Sequence, residues 1–264
     1  MSIIHPTAIV HPGAKLGIDV KIGPFCIVGA NVVLGDRVEL VSHVVVDGHT
    51  EIGDDTIVHP FAVLGAMGQD LKWQEESTMT GLKIGKRNKI REYVTISSGT
   101  PASTGTEIGD DCQIMINAHI GHDCRVGNGV ILSNLVQLAG HVEIEDFVIV
   151  SGGSMVHQFC RIGRNAFIGG MTGIGVDVPP YSIFDNKFAR GEYRTINKTG
   201  LLRHGFTNED LHAVHTVYAA IFDNRETTET VAEKLKRVRK EVNGNTYALD
   251  AIDFIENRSK RGIK

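Results

Sequence analysis

The stretch Leu16-Gly17-Ile18-Asp19-Val20-Lys21-Ile22-Gly23-Pro24-Phe25-Cys26-Ile27-Val28-Gly29 decides the fold. Leu16, Ile22 and Val28 stand six residues apart, each is followed by glycine, and the fourth residue on is small (Val20, Cys26, Val32). Outward from there the interval runs without a miss from Ile4 to Leu64. It resumes at Ile84, Ile90 and Ile96, and runs again from Ile108 to Ile174. An amphipathic helix repeats every ~3.6 residues and a half-buried strand every ~2, so neither gives six. A period of six is the mark of a parallel β-helix, each hexapeptide forming one face of a prism. Three hexapeptides close a triangular coil, and residues one coil apart then stack at the ~4.8 Å spacing of paired strands. The aliphatic fills the interior and the small residue fits beside it. The glycine is expected to take the unusual backbone angles of a tight corner.

Composition narrows the function classes. A net charge of −4 over 264 residues argues against a general nucleic-acid binder. No run of apolar residues is long enough to span a bilayer, so no transmembrane segment is expected. The start, Met1-Ser2-Ile3-Ile4-His5-Pro6, lacks the basic and apolar regions of a signal peptide. All four cysteines (Cys26, Cys112, Cys124, Cys160) occupy the small interior position. Cys124 and Cys160 lie two coils apart, roughly 9–10 Å, too far for a disulfide. They read as buried packing residues in a reducing cytoplasm.

The expected organisation is an all-β parallel β-helix over residues 1–187 and a linker with a small α-helical domain over 188–264. Residues 65–83 abandon the period, which reads as a loop extruded from a prism edge; long loops on a compact scaffold are often functional. Residues 97–107 form a smaller irregularity. Thr207-Asn208-Glu209-Asp210 reads as a capped helix start. A second helix is expected over 227–242 and a third over about 246–258. The run Lys234, Lys236, Arg237, Arg239 and Lys240 reads as a solvated face that could help dock an acidic partner.

Reactivity must come from polar side chains that stack on this scaffold. Twelve histidines are present, and Ile116-Asn117-Ala118-His119-Ile120-Gly121-His122-Asp123 is the richest segment. With Ile120, Leu138 and Val156 in one column, His122, His141 and His157 fall on one face of three successive coils. Gly140 and Gln158 lie in register with His122. Histidine is the side chain best suited to take a proton near neutrality. Asp123 can orient the His122 ring and stabilise its imidazolium, and the Gly140 N–H can face a developing oxyanion. His5, His11, His43, His49 and His59 are explained by surface or subunit packing.

An ordered set of motifs resembles the UDP-N-acetylglucosamine acyltransferases of lipid A biosynthesis. It comprises Gly23-Pro24-Phe25-Cys26-Ile27-Val28-Gly29, Ser42-His43-Val44-Val45-Val46, Gln69-Asp70-Leu71-Lys72, Met115-Ile116-Asn117-Ala118-His119-Ile120, His122-Asp123-Cys124, Leu138-Ala139-Gly140-His141-Val142, Val156-His157-Gln158-Phe159-Cys160 and Asp177-Val178-Pro179-Pro180-Tyr181. The resemblance implies a left-handed β-helix and a homotrimer with clefts between prisms. It implies transfer of an (R)-3-hydroxyacyl chain from acyl carrier protein to the 3-hydroxyl of UDP-N-acetylglucosamine, with no metal or other cofactor. His122 would be the general base, Asp123 its support and Gly140 the oxyanion donor. His119, His141, His157 and Gln158 would position substrate. Gln69, Asp70 and Lys72 would contact substrate, with Asp70 and Lys72 reaching a neighbouring subunit's cleft from the extruded loop. Gly170 would mark the acyl-chain ruler, with Phe188 as a competing limit. Asn197 and Arg203 would meet the nucleotide, although Thr199 and His204 depart from the family there.

Three other readings compete. A related enzyme acylates the 2-amino group of the acylated sugar, but carries an N-terminal uridine-binding domain, for which repeats starting at Ile4 leave no room. A γ-type carbonic anhydrase would place zinc between histidines, and leaves the Gln69–Lys72 loop and helical tail unexplained. A non-catalytic scaffold would lose nothing on replacement of His122. An acceptor with a 3-amino group stays open.

Overall fold

In the computed structural model, residues 2–73, 75, 78–187, 190–222 and 228–263 are described, with backbone alone for 186, 187 and 190. Short parallel strands stack in three columns, two of ten strands and one of eight. The register follows the period: Ile4 pairs with Ile22, Ile22 with Leu40, and Val10 with Val28. The interruptions leave the stack intact. Ile52 pairs with Ile84 across the first, and Ile84 with Ile108 across the second. Both are bulges out of a continuous prism.

The periodic aliphatics and their small partners form one buried core from Val20 to Phe184. At the N-terminal end Ile3, Ile4 and Ile9 are exposed. The cysteines are free and buried. Burial raises the Cys124 thiol to about 12, which keeps it protonated and inert.

Glycine enters the repeat for a different reason from the one expected. The left-handed backbone falls two residues later, on Asp19, Phe25, Arg37, His43, Asp55, Asp123 and His141 among others. The glycine is needed because the next coil lies too close. A Cβ on Gly23 would sit 1.8 Å from the Val41 carbonyl oxygen, and one on Gly29 2.3 Å from Asp47 Oδ1. At the exposed corner, side chains stack from coil to coil: Phe25, His43, Phe61 and Tyr93 follow one another at 4.9, 4.9 and 5.0 Å.

Past the last coil, the expected linker is a strand. Ser182–Lys187 and Arg190–Ile196 pair antiparallel, and the first of them stacks on Phe167 and Ile168. Among the described residues four helices follow: α1 (Lys198–Arg203), α2 (Asn208–Phe222), α3 (Val231–Glu241) and α4 (Thr246–Asp253), the last continuing as a π turn over Phe254–Arg258. The Thr207–Asp210 start of α2 is a reciprocal cap. Thr230 and Glu233 make a capping box, which sets the start of α3. Tyr181, Leu201, Val214, Val217, Tyr218 and Phe254 belong to the second core. The basic run is partly consumed: Lys234 is buried, Arg237 pairs with Glu229 and Glu241, and Arg239 with Glu256. The tail is clasped by buried Asp177, whose carboxylate accepts from Ser259 Oγ and from the backbone N–H of Arg161, Lys260 and Arg261. No described helix is long and apolar enough to cross a membrane.

Candidate active site

Ile120, Leu138 and Val156 are register partners, so His122, Gly140 and Gln158 stack on one face. All three line a cleft of about 700 Å³. The missing side chain of Gly140 makes room for the ring above it: a Cβ there would lie 2.5 Å from His122 Nε2. The Gly140 N–H donates to no acceptor among the described residues, which leaves it available to a ligand.

Asp123 occupies a left-handed corner, φ 62°, and is buried with His122. Its Oδ2 lies 2.7 Å from His122 Nδ1 and 3.4 Å from His141 Nε2. Burial pushes the carboxyl upward. Hydrogen bonds from Ser103, His122 and Thr100 outweigh that and hold it below the usual carboxylate range. An ionised carboxylate only accepts, so His122 Nδ1 must donate. The neutral ring then presents an unprotonated Nε2 to the cleft. His141 stands edge-on to His122 at 5.1 Å and stacks on Phe159 at 4.5 Å, which holds it in place. His119 binds Thr95 Oγ1 at 2.7 Å; burial, and repulsion from His122 whenever that ring takes a proton, depress its pKa and favour its neutral form.

The extruded loop lies over its own chain's cleft. Gln69, Asp70 and Lys72 line it, and a Cβ on Gly68 would sit 2.9 Å from His122 Cβ. The reason is registry: the loop leaves the column of Leu64, Ile96 and Ile120 just below His122. Asp70 Oδ1 accepts the Lys72 N–H at 2.9 Å and shapes the turn.

Other expected site residues stand apart. His157 is exposed and contacts the Gln158 carbonyl through Nδ1. Gly170 does not line the cleft, and a Cβ there would meet nothing closer than 3.5 Å. Asn197 is a helix cap: its side chain accepts from Gly200 N–H and donates to the Asn165 carbonyl. One N–H and one lone pair of its amide remain beyond these two bonds. Arg203 is exposed at the end of α1, away from the His122 cleft. Phe188 lies outside the described residues. The sequence reading missed Gln137 and Met155, whose register on His119 could have revealed them. It also missed Thr100 and Ser103, which no periodicity announces.

His122, Asp123 and His141 bring donor atoms within 4.8 Å of one another, the one such trio among the described residues. Both Asp123 oxygens already accept protein donors, Oδ1 from Thr100 N–H and Ser103, and Oδ2 from Thr100 Oγ1 and His122. That donor set suits an aspartate that orients a histidine rather than one that ligates a cation.

A family model described as Udp N-acetylglucosamine O-acyltransferase, Domain 2, matches residues 177–264, and a bacterial transferase hexapeptide model matches 13–48 and 105–140. Over 228 residues the chain is 43% identical to the acyl-[acyl-carrier-protein]–UDP-N-acetylglucosamine O-acyltransferase of Agrobacterium fabrum, covering 84% of this chain and 80% of that one. The chain belongs to the UDP-N-acetylglucosamine acyltransferase family. It is an acyltransferase. The structure of the UDP-N-acetylglucosamine acyltransferase LpxA from Bacteroides fragilis superposes with a TM-score of 0.93 at 37% identity, covering 99% of this chain and all of that one. LpxA from Acinetobacter baumannii gives 0.92 at 39%, with 99% of each chain covered. The prism is the left-handed β-helix of that family.

Proposed function

We propose that this acyltransferase moves an (R)-3-hydroxyacyl chain from acyl carrier protein to the 3-hydroxyl of UDP-N-acetylglucosamine, the first step of lipid A biosynthesis, in the cytoplasm. The activity for which the Agrobacterium fabrum relative is named supports the substrates. The observation that carries the chemistry is the buried Asp123–His122 pair with Nε2 free at the cleft. His122 Nε2 takes the proton of the sugar hydroxyl as its oxygen attacks the thioester carbonyl. The Gly140 N–H stabilises the oxyanion of the tetrahedral intermediate. On collapse the C–S bond breaks and the imidazolium returns its proton to the leaving thiolate. Asp123 balances the imidazolium between the two steps.

His119, His141, Gln158 and the loop residues Gln69, Asp70 and Lys72 line or flank the cleft and would orient sugar and diphosphate. Lys72 supplies a compact cation for phosphate. Arg203, His157 and Gly170 lie off this single-chain cleft, as does Asn197. A homotrimer with clefts shared between copies would let Arg203 of one copy reach the site of the next. An acyl chain running past Gly170 meets no side chain there, which favours a long donor.

The test is product formation by the purified protein from 3-hydroxyacyl carrier proteins of several lengths and UDP-N-acetylglucosamine, read by mass spectrometry. An ester at the sugar 3-position supports the reading. Turnover only with a 3-amino sugar would move the acceptor to an amine, and no transfer to either would overturn it.

A further inference from the structure

The two departures from the six-residue period are stapled into one device. Thr80 N–H donates to the Gly99 carbonyl at 3.0 Å, Gly99 N–H to Gly81 at 2.8 Å, and Ser98 N–H to Ala66 at 2.8 Å. Thr80 Oγ1 also donates to the Thr100 carbonyl at 3.1 Å. The joined segment then closes on the dyad. Thr100 gives Asp123 its N–H at 2.7 Å and its hydroxyl at 2.8 Å, and Ser103 adds a second hydroxyl. Thr106 Oγ1 accepts the Asp123 N–H at 2.9 Å. From the other insertion, Gly68 packs on His122. Asp55 and Asp111 hold the same slot of the hexapeptide at another prism edge, where they are exposed and pair with Arg37 and Arg87. Only the slot beside His122 exchanges the arginine for neutral donors, among the described residues.

We propose that Thr100 and Ser103 are positioning residues for acyl transfer, aiming the Asp123 carboxylate so that His122 keeps its Nδ1–H and presents Nε2. This rests on the general-base reading of His122. Neutral donors suit the task because they fix both oxygens without adding a cation that would oppose the imidazolium. Four donors on two oxygens also restrict carboxylate rotation, and with it the ring's aim at the hydroxyl.

The test uses the full-length protein with Thr100→Val, Ser103→Ala, the double variant and Thr100→Ser. The double variant is expected to lose about 10- to 100-fold in kcat with KM changed less than about 2-fold, as small misplacement of a catalytic group does. The low-field proton resonance of His122 Nδ1–H should broaden or vanish with it. Thr100→Ser, which keeps both donors, should restore both readouts. Ser103→Ala removes one half-exposed hydroxyl, tests the idea without threatening the fold, and should show a smaller loss of the same kind. A folded double variant with unchanged kcat and unchanged resonance would overturn the proposal. If His122→Ala left transfer intact, the general-base reading would fail, and the resonance would still report whether these residues set the ring.

Discussion

Asp123 and Asp177 are both buried carboxylates with at least four donors, yet they serve different ends of the molecule. Asp177 receives three backbone N–H groups and one hydroxyl, from Arg161, Lys260, Arg261 and Ser259. Every donor is neutral, and the result is a clasp that ties the tail to the last coil. Asp123 receives two donors from Thr100 and one from Ser103, and shares its remaining capacity with two imidazoles at the mouth of a cleft. The lesson concerns partners rather than burial. A carboxylate closed by neutral donors holds structure, whereas one coupled to a ring that can take a proton supports chemistry.

The comparison breaks most sharply under paired substitutions. Asp123→Asn should lower kcat by about 10²- to 10⁴-fold, because an amide no longer stabilises the imidazolium, with little change in Tm. Asp177→Asn should do the reverse. It aims an NH2 at backbone donors that need an acceptor, costs about 2–4 kcal/mol, and lowers Tm by roughly 5–10 °C. Steady-state kinetics and calorimetry on both variants decide it; matching losses in both readouts for both variants would erase the distinction.

Space beside the dyad gives the next effect. Gly140→Ala places a methyl 2.5 Å from His122 Nε2 and should lower kcat by about 10²-fold. Gly170→Ala meets nothing nearer than 3.5 Å and should leave kcat within about 2-fold with short donors.

Smaller effects follow from protons and metals. His119 is depressed below its ordinary value of 6.5 by burial and by His122. The unfolded chain therefore binds more protons than the native one just below that value, and stability rises with pH there. His119→Gln should flatten this slope in urea titrations between about pH 5 and 7. Asp123 is depressed below 3.8, so its contribution is present above that value and is lost only as pH falls through the lower native one. Because both Asp123 oxygens already hold protein donors, prolonged chelator treatment should change the rate by less than about 2-fold. Loss of activity restored by zinc would reassign the His122–Asp123–His141 trio.

Most of the prism was legible because its cause is local and periodic. An aliphatic every sixth residue fixes the column, and the column fixes that His122, Gly140 and Gln158 stack. What escaped has causes that are not periodic. The glycine after each aliphatic answers to the neighbouring coil's backbone, a contact between residues one coil apart that composition alone assigns to a corner. Residues 190–196 carry few aliphatics and read as a linker, but the exposed end of the last coil offers them a ladder. Asn197 also caps α1, a role that no motif announced. Thr100 and Ser103 sit in a stretch of Gly, Pro, Ser and Thr whose path depends on its hydrogen bonds to the other insertion.

The most direct test of the account is the acyl-transfer rate of His122→Ala beside the unaltered protein, with Tm and oligomeric mass measured on the same samples. The account predicts a fall of about 10³-fold or more in kcat with fold and assembly unchanged. A folded variant that retains more than about a tenth of the rate would contradict His122 as the base.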